Sequence, residues 1–303
     1  MSRPPSGEQI ELSHGDQQAV VVEVGAGLRS YRVGGREIID GYGVEEICSA
    51  ARAQPLTPWP NRVQDGVYEW SGTRHQLDIT EPELNNAIHG LTMWRNWTVS
   101  ERTNSRVVLS QTLHPVPGYP FALAIEANYE LADDGLTVTL SARNEGEVAC
   151  PYGQGWHPYF RPPGLEQIDE CVVTLPAATR LLVDERLIPV GAEATAGTAF
   201  DFRAARTLGD LKLDDCFLDL DRGEDGLTRA TVAGPAGSTT IWADETYGYL
   251  QVFSGDALEQ PRRRRGLAIE PMTCAANAFV SGVSLIQLEP GERSVSRCGI
   301  TVA

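Results

Sequence analysis

Five short stretches bring together side chains that can hold, give or take a proton. Pro58-Trp59-Pro60-Asn61-Arg62-Val63 presents an amide and a guanidinium on a backbone stiffened by two prolines. Asn85-Asn86-Ala87-Ile88-His89-Gly90-Leu91 sets a histidine beside a glycine, where backbone can come close to a ligand. In Gly155-Trp156-His157-Pro158-Tyr159-Phe160 a second histidine sits among aromatics, and Pro158 biases it to an extended conformation. Leu213-Asp214-Asp215-Cys216-Phe217 offers two carboxylates able to accept hydrogen bonds from hydroxyls. Gly266-Leu267-Ala268-Ile269-Glu270-Pro271-Met272 ends an apolar run on a carboxylate, which burial should make less acidic. A rigid imidazole that titrates near neutral pH and a carboxylate of raised pKa are the parts of a general acid–base pair.

Each stretch also has a plainer reading. Arg62 would be a surface arginine by a rigid turn, and His89 a residue that satisfies its own loop. His157 would be one polar group in an aromatic corner, Asp214-Asp215 a turn, and Glu270 a carboxylate bonded to backbone. The combination of two histidines, an arginine, an aspartate and a glutamate on loops and strand ends is more specific than any member.

Other chemistries lack their signatures. The sequence has no glycine-rich dinucleotide or phosphate loop, no H-E-x-x-H pair and no nucleophile elbow. Lys212 is the only lysine, so Schiff-base chemistry would rest on it alone. The six cysteines form no C-x-x-C pair, which argues against a zinc cage and for buried free thiols. No metal site is expected. A net charge of −16 argues against nucleic acid and anionic membranes as partners. No run of about 18 apolar residues suggests a membrane span. The N-terminal residues do not resemble a secretory signal, and a cytoplasmic location is expected.

The elements that must position these residues follow a period of two. Phe121, Leu123, Ile125, Ala127, Tyr129 and Leu131 alternate, Asp133-Asp134-Gly135 turns, and Leu136, Val138, Leu140 and Ala142 alternate again. Further hairpins are expected at residues 66–70 with 75–77, 19–24 with 28–33, and 239–242 with 249–253. Residues 45–53 are expected to make one or two helical turns. Gly and Pro punctuate the chain without a linker or a repeat. The reading is a large all-β antiparallel sandwich with few short helices, residues 1–303 forming one domain and about residues 1–15 left as a flexible N-terminal tail.

"PWPNRV", "NNAIHGL", "GWHPYF", "LDDCF" and "LAIEPMTCAANAF" together resemble the aldose 1-epimerase (galactose mutarotase) family. The resemblance runs nearly end to end, through "VGAGLRSYRVGGREIIDGY", "PGYPFALAIEANYEL" and "LEPGE". It implies the mutarotase-like supersandwich fold and a cofactor-independent isomerase acting on a free monosaccharide. Glu270 would take the proton of the anomeric hydroxyl and His157 would protonate the ring oxygen. His89 would stabilise that oxygen or share the acid role. Arg62 and Asp214 would hold sugar hydroxyls, with Asn61 supporting the loop, and Trp156 or Trp242 would offer an apolar face. This sequence has Asp215 where the family usually has a histidine, so Asp214 and Asp215 both stand as candidates for the sugar contact.

Three rival readings remain. A retaining glycoside hydrolase would pair Glu270 with Asp214 about 5 Å apart and leave the histidines without a role. A non-catalytic sugar-binding protein would not need both His157 and Glu270. A phosphorylated or sulfonated sugar would enlist Arg161 and the run Arg262–Arg265. The protein is expected as a monomer or a homodimer.

Overall fold

The computed structural model describes residues 3–303. Its strands gather chiefly into three antiparallel sheets. The first is four-stranded, ordered Gln9–His14, Gln17–Val22, Leu28–Val33 and Arg36–Glu37. The second is nine-stranded and runs Thr98–Arg102, Arg106–Leu113, Leu123–Ala132, Gly135–Asn144, Arg293–Val302, Gly237–Ala243, Thr228–Gly234, Val172–Thr174 and Arg206–Thr207. The third runs Pro189–Ala194, Ala177–Val183, Asp214–Leu220, Tyr249–Phe253, Leu267–Met272, Gly155–Trp156 and Pro55–Leu56, with Tyr159–Phe160 also paired to Leu267–Met272.

Alternation explains how the nine-stranded sheet faces the core. Leu123, Ile125, Ala127, Tyr129 and Leu131 are each at most 2% exposed, while the residues between them look outward. The strands Leu123–Ala132 and Gly135–Asn144 pair in unbroken register across the Asp133-Asp134 turn. From the opposite side, Phe217, Leu250, Val252, Leu267 and Ile269 of the third sheet enter the same hydrophobic cluster. Ile10, Leu12, Val21 and Leu28 join it from the first sheet. The result is a sandwich closed by a third sheet, with a core drawn from all three.

Three expectations are corrected. Residues 9–14 are a strand, not part of a flexible tail, because Ile10 and Leu12 alternate into the core while Glu11 and Ser13 face out. Residues 1 and 2 of that expected tail lie outside the described residues. Gly237–Ala243 and Tyr249–Phe253 are not a hairpin, since the first pairs within the nine-stranded sheet and the second within the third sheet. Residues 45–53 contain no helix. Ala50, Ala51 and Ala53 have φ of 52°, 51° and 48°, in the left-handed region that a right-handed helix cannot use. Among the described residues the short α-helix is instead Ala278–Ser281, besides a 3-10 turn at Ile168–Glu170.

The strand Leu267–Met272 is buried on both faces, all six of its residues being buried. An antiparallel strand usually leaves one face to solvent, so something covers the second face. Leu267 and Ile269 point into the main core. Ala268, Glu270 and Met272 point the other way, under the loops that carry the candidate residues.

Candidate active site

Strand register alone sets Glu270 against His157. Gly155 pairs with Met272 and Tyr159 with Ala268, so the residue midway between them, His157, falls opposite Glu270. On the other side Gln251 is the direct partner of Glu270, and Cys216 is the partner of Gln251. A row of Cys216, Gln251, Glu270 and His157 therefore crosses the covered face. His157 Nε2 lies 3.2 Å from Glu270 Oε1. Their side chains are 7% and 2% exposed. His157 Nδ1 and Glu270 Oε2 have no hydrogen-bond partner and are buried.

Burial dominates the electrostatics of this pair. It pushes the Glu270 carboxyl well above the usual carboxylate range, and the negative charge of Asp214 adds to that rise while Arg62 opposes it. Burial and then the positive charge of Arg52 lower His157 to about 3. Both shifts disfavour a separated charge, so across a broad pH range the pair carries one shared proton. One proton on two groups is what a coupled acid–base step requires.

His89 reaches the site from a loop locked to the neighbouring one. Its N–H donates to Asn61 O at 3.0 Å, and Asn61 N–H donates to His89 Nδ1 at 3.2 Å. With Nδ1 accepting, the neutral ring carries its proton on Nε2, the remaining nitrogen. Asn61 and His89 adopt φ of 55° and 62°. Gly90 follows at φ 75°, and a Cβ there would fall 2.0 Å from Thr57 O, so glycine is required. The His89 and His157 rings meet edge to face with centroids 5.3 Å apart. Burial holds His89 well below the ordinary histidine range, reinforced by His157 and Arg62.

A polar rim surrounds the three groups. Arg62 is clamped by Glu81, which accepts from Nε at 2.9 Å and from Nη2 at 2.9 Å. Glu81 also accepts from Asn86 Nδ2 at 3.0 Å. Arg62 Nη2 lies 3.8 Å from Asp214 Oδ2. Gln251 Nε2 donates to Asp214 Oδ1 at 2.7 Å. Glu81→Gln removes the charge that holds the guanidinium and lets Arg62 swing towards Asp214. For the free-sugar reaction that the sequence resemblance implies, kcat/KM of this variant is expected to fall by about 10-fold, mostly through KM, the size of one weakened charged hydrogen bond; steady-state kinetics check this.

The model of the family described as aldose 1-epimerase matches residues 8–301. The chain belongs to the aldose 1-epimerase family. It is 37% identical over 288 residues to the uncharacterized protein YihR of Escherichia coli, covering 95% of this chain and 91% of that one. It is 33% identical over 157 residues to human galactose mutarotase, 49% of this chain and 44% of the relative. Its fold matches the solved aldose epimerase homologue from C. elegans with a TM-score of 0.87, at 18% identity and 98% coverage of both chains.

In this epimerase-family chain the structure gathers Asn61, Arg62, His89, His157, Asp214 and Glu270 at one site. It separates the two aspartates. Asp214 shares the face of Cys216 and Gln251, whereas Asp215 points to the other face and binds Arg180 Nη1 at 2.5 Å. The tryptophans are corrected. Trp156 alternates with His157, is 0% exposed within the core and donates its indole N–H to Ala53 O at 3.0 Å. Trp242 lies on the outward face of the nine-stranded sheet, its ring over Gly299. Neither meets the site. Arg161, Arg262 and Arg265 line a separate groove of about 470 Å³. Arg262 is held by Glu46 at 2.7 Å and Arg265 by Asp40 at 2.6 Å, while Arg264 binds Asp169 at 3.0 Å and Asp256 at 2.9 Å. Gln251 and Glu81 were not foreseen. A glutamine inside the apolar strand Tyr249–Phe253 was a visible signal, since a buried amide needs partners; Glu81 carried no local signal.

Proposed function

We propose that this chain is a cofactor-independent aldose 1-epimerase that interconverts the α and β anomers of a free aldohexose. The observation that supports the reading is the 3.2 Å contact between two buried titratable groups, His157 Nε2 and Glu270 Oε1, with Gln251 and Arg62 gathered on Asp214 beside them. The reacting form is the one in which the shared proton of the pair sits on His157: from it Glu270, as carboxylate, takes the proton of the anomeric hydroxyl while His157, as imidazolium, delivers its proton to the ring oxygen. The bond between the anomeric carbon and the ring oxygen breaks, leaving an open-chain aldehyde. The aldehyde turns by half a circle about its bond to the next carbon. The same two groups then act in reverse, and the ring hydroxyl attacks the other face of the carbonyl. Protons balance over the cycle, and no electron is transferred.

His89, held neutral by burial, serves as a hydrogen-bond donor through Nε2 to the ring oxygen as charge builds there. Arg62, Asp214 and Gln251 hold the sugar hydroxyls, and Asn61 fixes His89. The test is optical rotation of freshly dissolved α-glucose, α-galactose and a wider panel of free aldoses, with and without protein. Relaxation to the anomeric equilibrium should be faster with protein. A panel that relaxes at the buffer rate throughout rejects the reading.

A further inference from the structure

Arg52 is among the largest fully buried side chains, at 1% exposure, and the proposed reaction gives it no task. Its guanidinium lies over the ring of Tyr159, 4.6 Å from the centroid. That same ring stacks on the His157 imidazole, with centroids 4.9 Å apart and planes inclined by 12°. Backbone bonds fix the segment against the histidine. Ala53 N–H donates to His157 O at 2.8 Å, and His157 N–H donates to Gln54 O at 3.3 Å. Arg52 Nη1 donates to Ser49 O at 2.8 Å, but Nε and Nη2 are buried without a hydrogen-bond partner.

The charge of Arg52 is only partly neutralised. Asp40 Oδ2 stands 3.5 Å from Arg52 Nε, but Asp40 is shared with Arg265 at 2.6 Å and Arg262 at 3.8 Å. Arg262 also binds Glu46 at 2.7 Å. Asp40, the one buried carboxylate beside Arg52, is thus divided among three guanidiniums, and Arg52 is the fully buried one of the three. Two members of the arginine run act here, as counter-cations to Asp40.

We infer that Arg52, acting through the Tyr159 ring, is a positioning residue that sets where the shared proton of the His157–Glu270 pair resides, with Asp40, Arg262 and Arg265 fixing how much of its charge is felt. The inference rests on the acid–base reading above. A cation stacked behind the imidazole repels a proton on it, and low polarisability around the stack leaves that repulsion weakly screened. The other groups facing His157 are Glu270 on Leu267–Met272, Tyr159 on Tyr159–Phe160 and His89 beyond Asn86–Ile88. Asp214 and Cys216 on Asp214–Leu220 and Arg62 on Arg62–Gln64 act next to Glu270 or His89. All of these are retained in the variants below.

The test is the pH profile of kcat/KM for wild type, Arg52→Met, Arg262→Met and Asp40→Asn, with thermal melts to confirm folding. Loss of a nearby positive charge raises the affinity of the pair for both of its protons. Arg52→Met should therefore move both limbs of the bell to higher pH, by about one unit. Arg262→Met, at a side chain that reaches the surface, should move them the same way by less. Asp40→Asn should move them to lower pH. A purely structural role would lower the height of the bell, or the melting temperature, without moving the limbs. If Arg52→Met does not fold, Arg262→Met and Asp40→Asn must still shift in opposite directions. A stationary bell, or shifts of the same sign from these two, overturns the inference. Imidazole ¹⁵N spectra keep this separate from the epimerase reading. The chain has five histidines, and His157→Gln assigns the relevant signal. Its titration should move to higher pH in Arg262→Met even if no sugar on the panel reacts, and an unmoved titration overturns the inference independently of activity.

Discussion

Glu270→Gln is expected to lower kcat for mutarotation by about 10²–10⁴-fold, with KM little changed, while making the protein more resistant to heat at neutral pH. The two effects have one cause. Glu270 is buried and its Oε2 is unpartnered, so ionising it in the folded chain is unfavourable. Its folded-state pKa is raised above the unfolded value. A raised carboxyl contributes stability that is complete below the unfolded pKa, near 4.3 for a free glutamate, and is lost as pH climbs towards the folded value. Glutamine has the same shape, can still donate to the imidazole, and never ionises. The melting temperatures of variant and wild type should thus agree near pH 4 and separate as pH rises, with the variant higher. The free-energy gap can widen by at most about 1.4 kcal/mol per pH unit. Calorimetric melts at several pH values, with polarimetric kcat at neutral pH, check both halves. A variant that is inactive and also less stable at pH 8 would mean that Glu270 is a structural carboxylate, and its assignment as base would fall.

How far the sequence reached depends on the kind of constraint. Loops that display a polar residue need backbone punctuation, and punctuation is local. Pro58 and Pro60 beside Asn61-Arg62, Gly90 after His89 and Pro158 after His157 were therefore legible. Alternation was equally legible where strands are long, as in Leu123–Ala132. Which strand pairs with which was not. The segment between Trp242 and Tyr249 contains turn formers, yet the chain uses it to cross from one sheet to the other. Nothing in alternation distinguishes a hairpin from such a crossing.

The same gap explains the tryptophans and the aspartates. In a strand, neighbouring residues face opposite ways, so one of Trp156 and His157 had to leave the site, as did one of Asp214 and Asp215. Register decides which one, and register is a tertiary property. Once Gly155 is opposite Met272, His157 faces Glu270 and Trp156 faces the core. Residues 45–53 failed for another reason. Their alanines suggest a helix, but Ala50, Ala51 and Ala53 take left-handed φ and Ala53 exchanges backbone bonds with Leu28 and His157 instead of with its own turn, so tertiary pairing overrides local propensity.

Replacing His157 should reveal whether the pair works as one device. His157→Gln alone is expected to lower kcat by about 10²–10⁴-fold, as for Glu270→Gln, because either loss ends the transfer of the single shared proton. The double variant should then lie within about 10-fold of the worse single variant, since a broken relay cannot be broken again. Losses that multiply would instead indicate two independent contributions, and the one-proton account would have to be given up. Stability offers a second readout with the opposite pH sense to that of Glu270. His157 is lowered to about 3 in the folded chain, against about 6.5 for a free histidine. Between those values the unfolded chain binds more protons than the folded one, so wild type loses stability as pH falls through this window. Glutamine does not titrate, and the variant should unfold at lower pH than wild type in an acid titration followed by circular dichroism. Both assays use the same two proteins, and an acid-unfolding midpoint that does not move would show that His157 is not held neutral by the fold, which would remove the reason for assigning the shared proton to this pair.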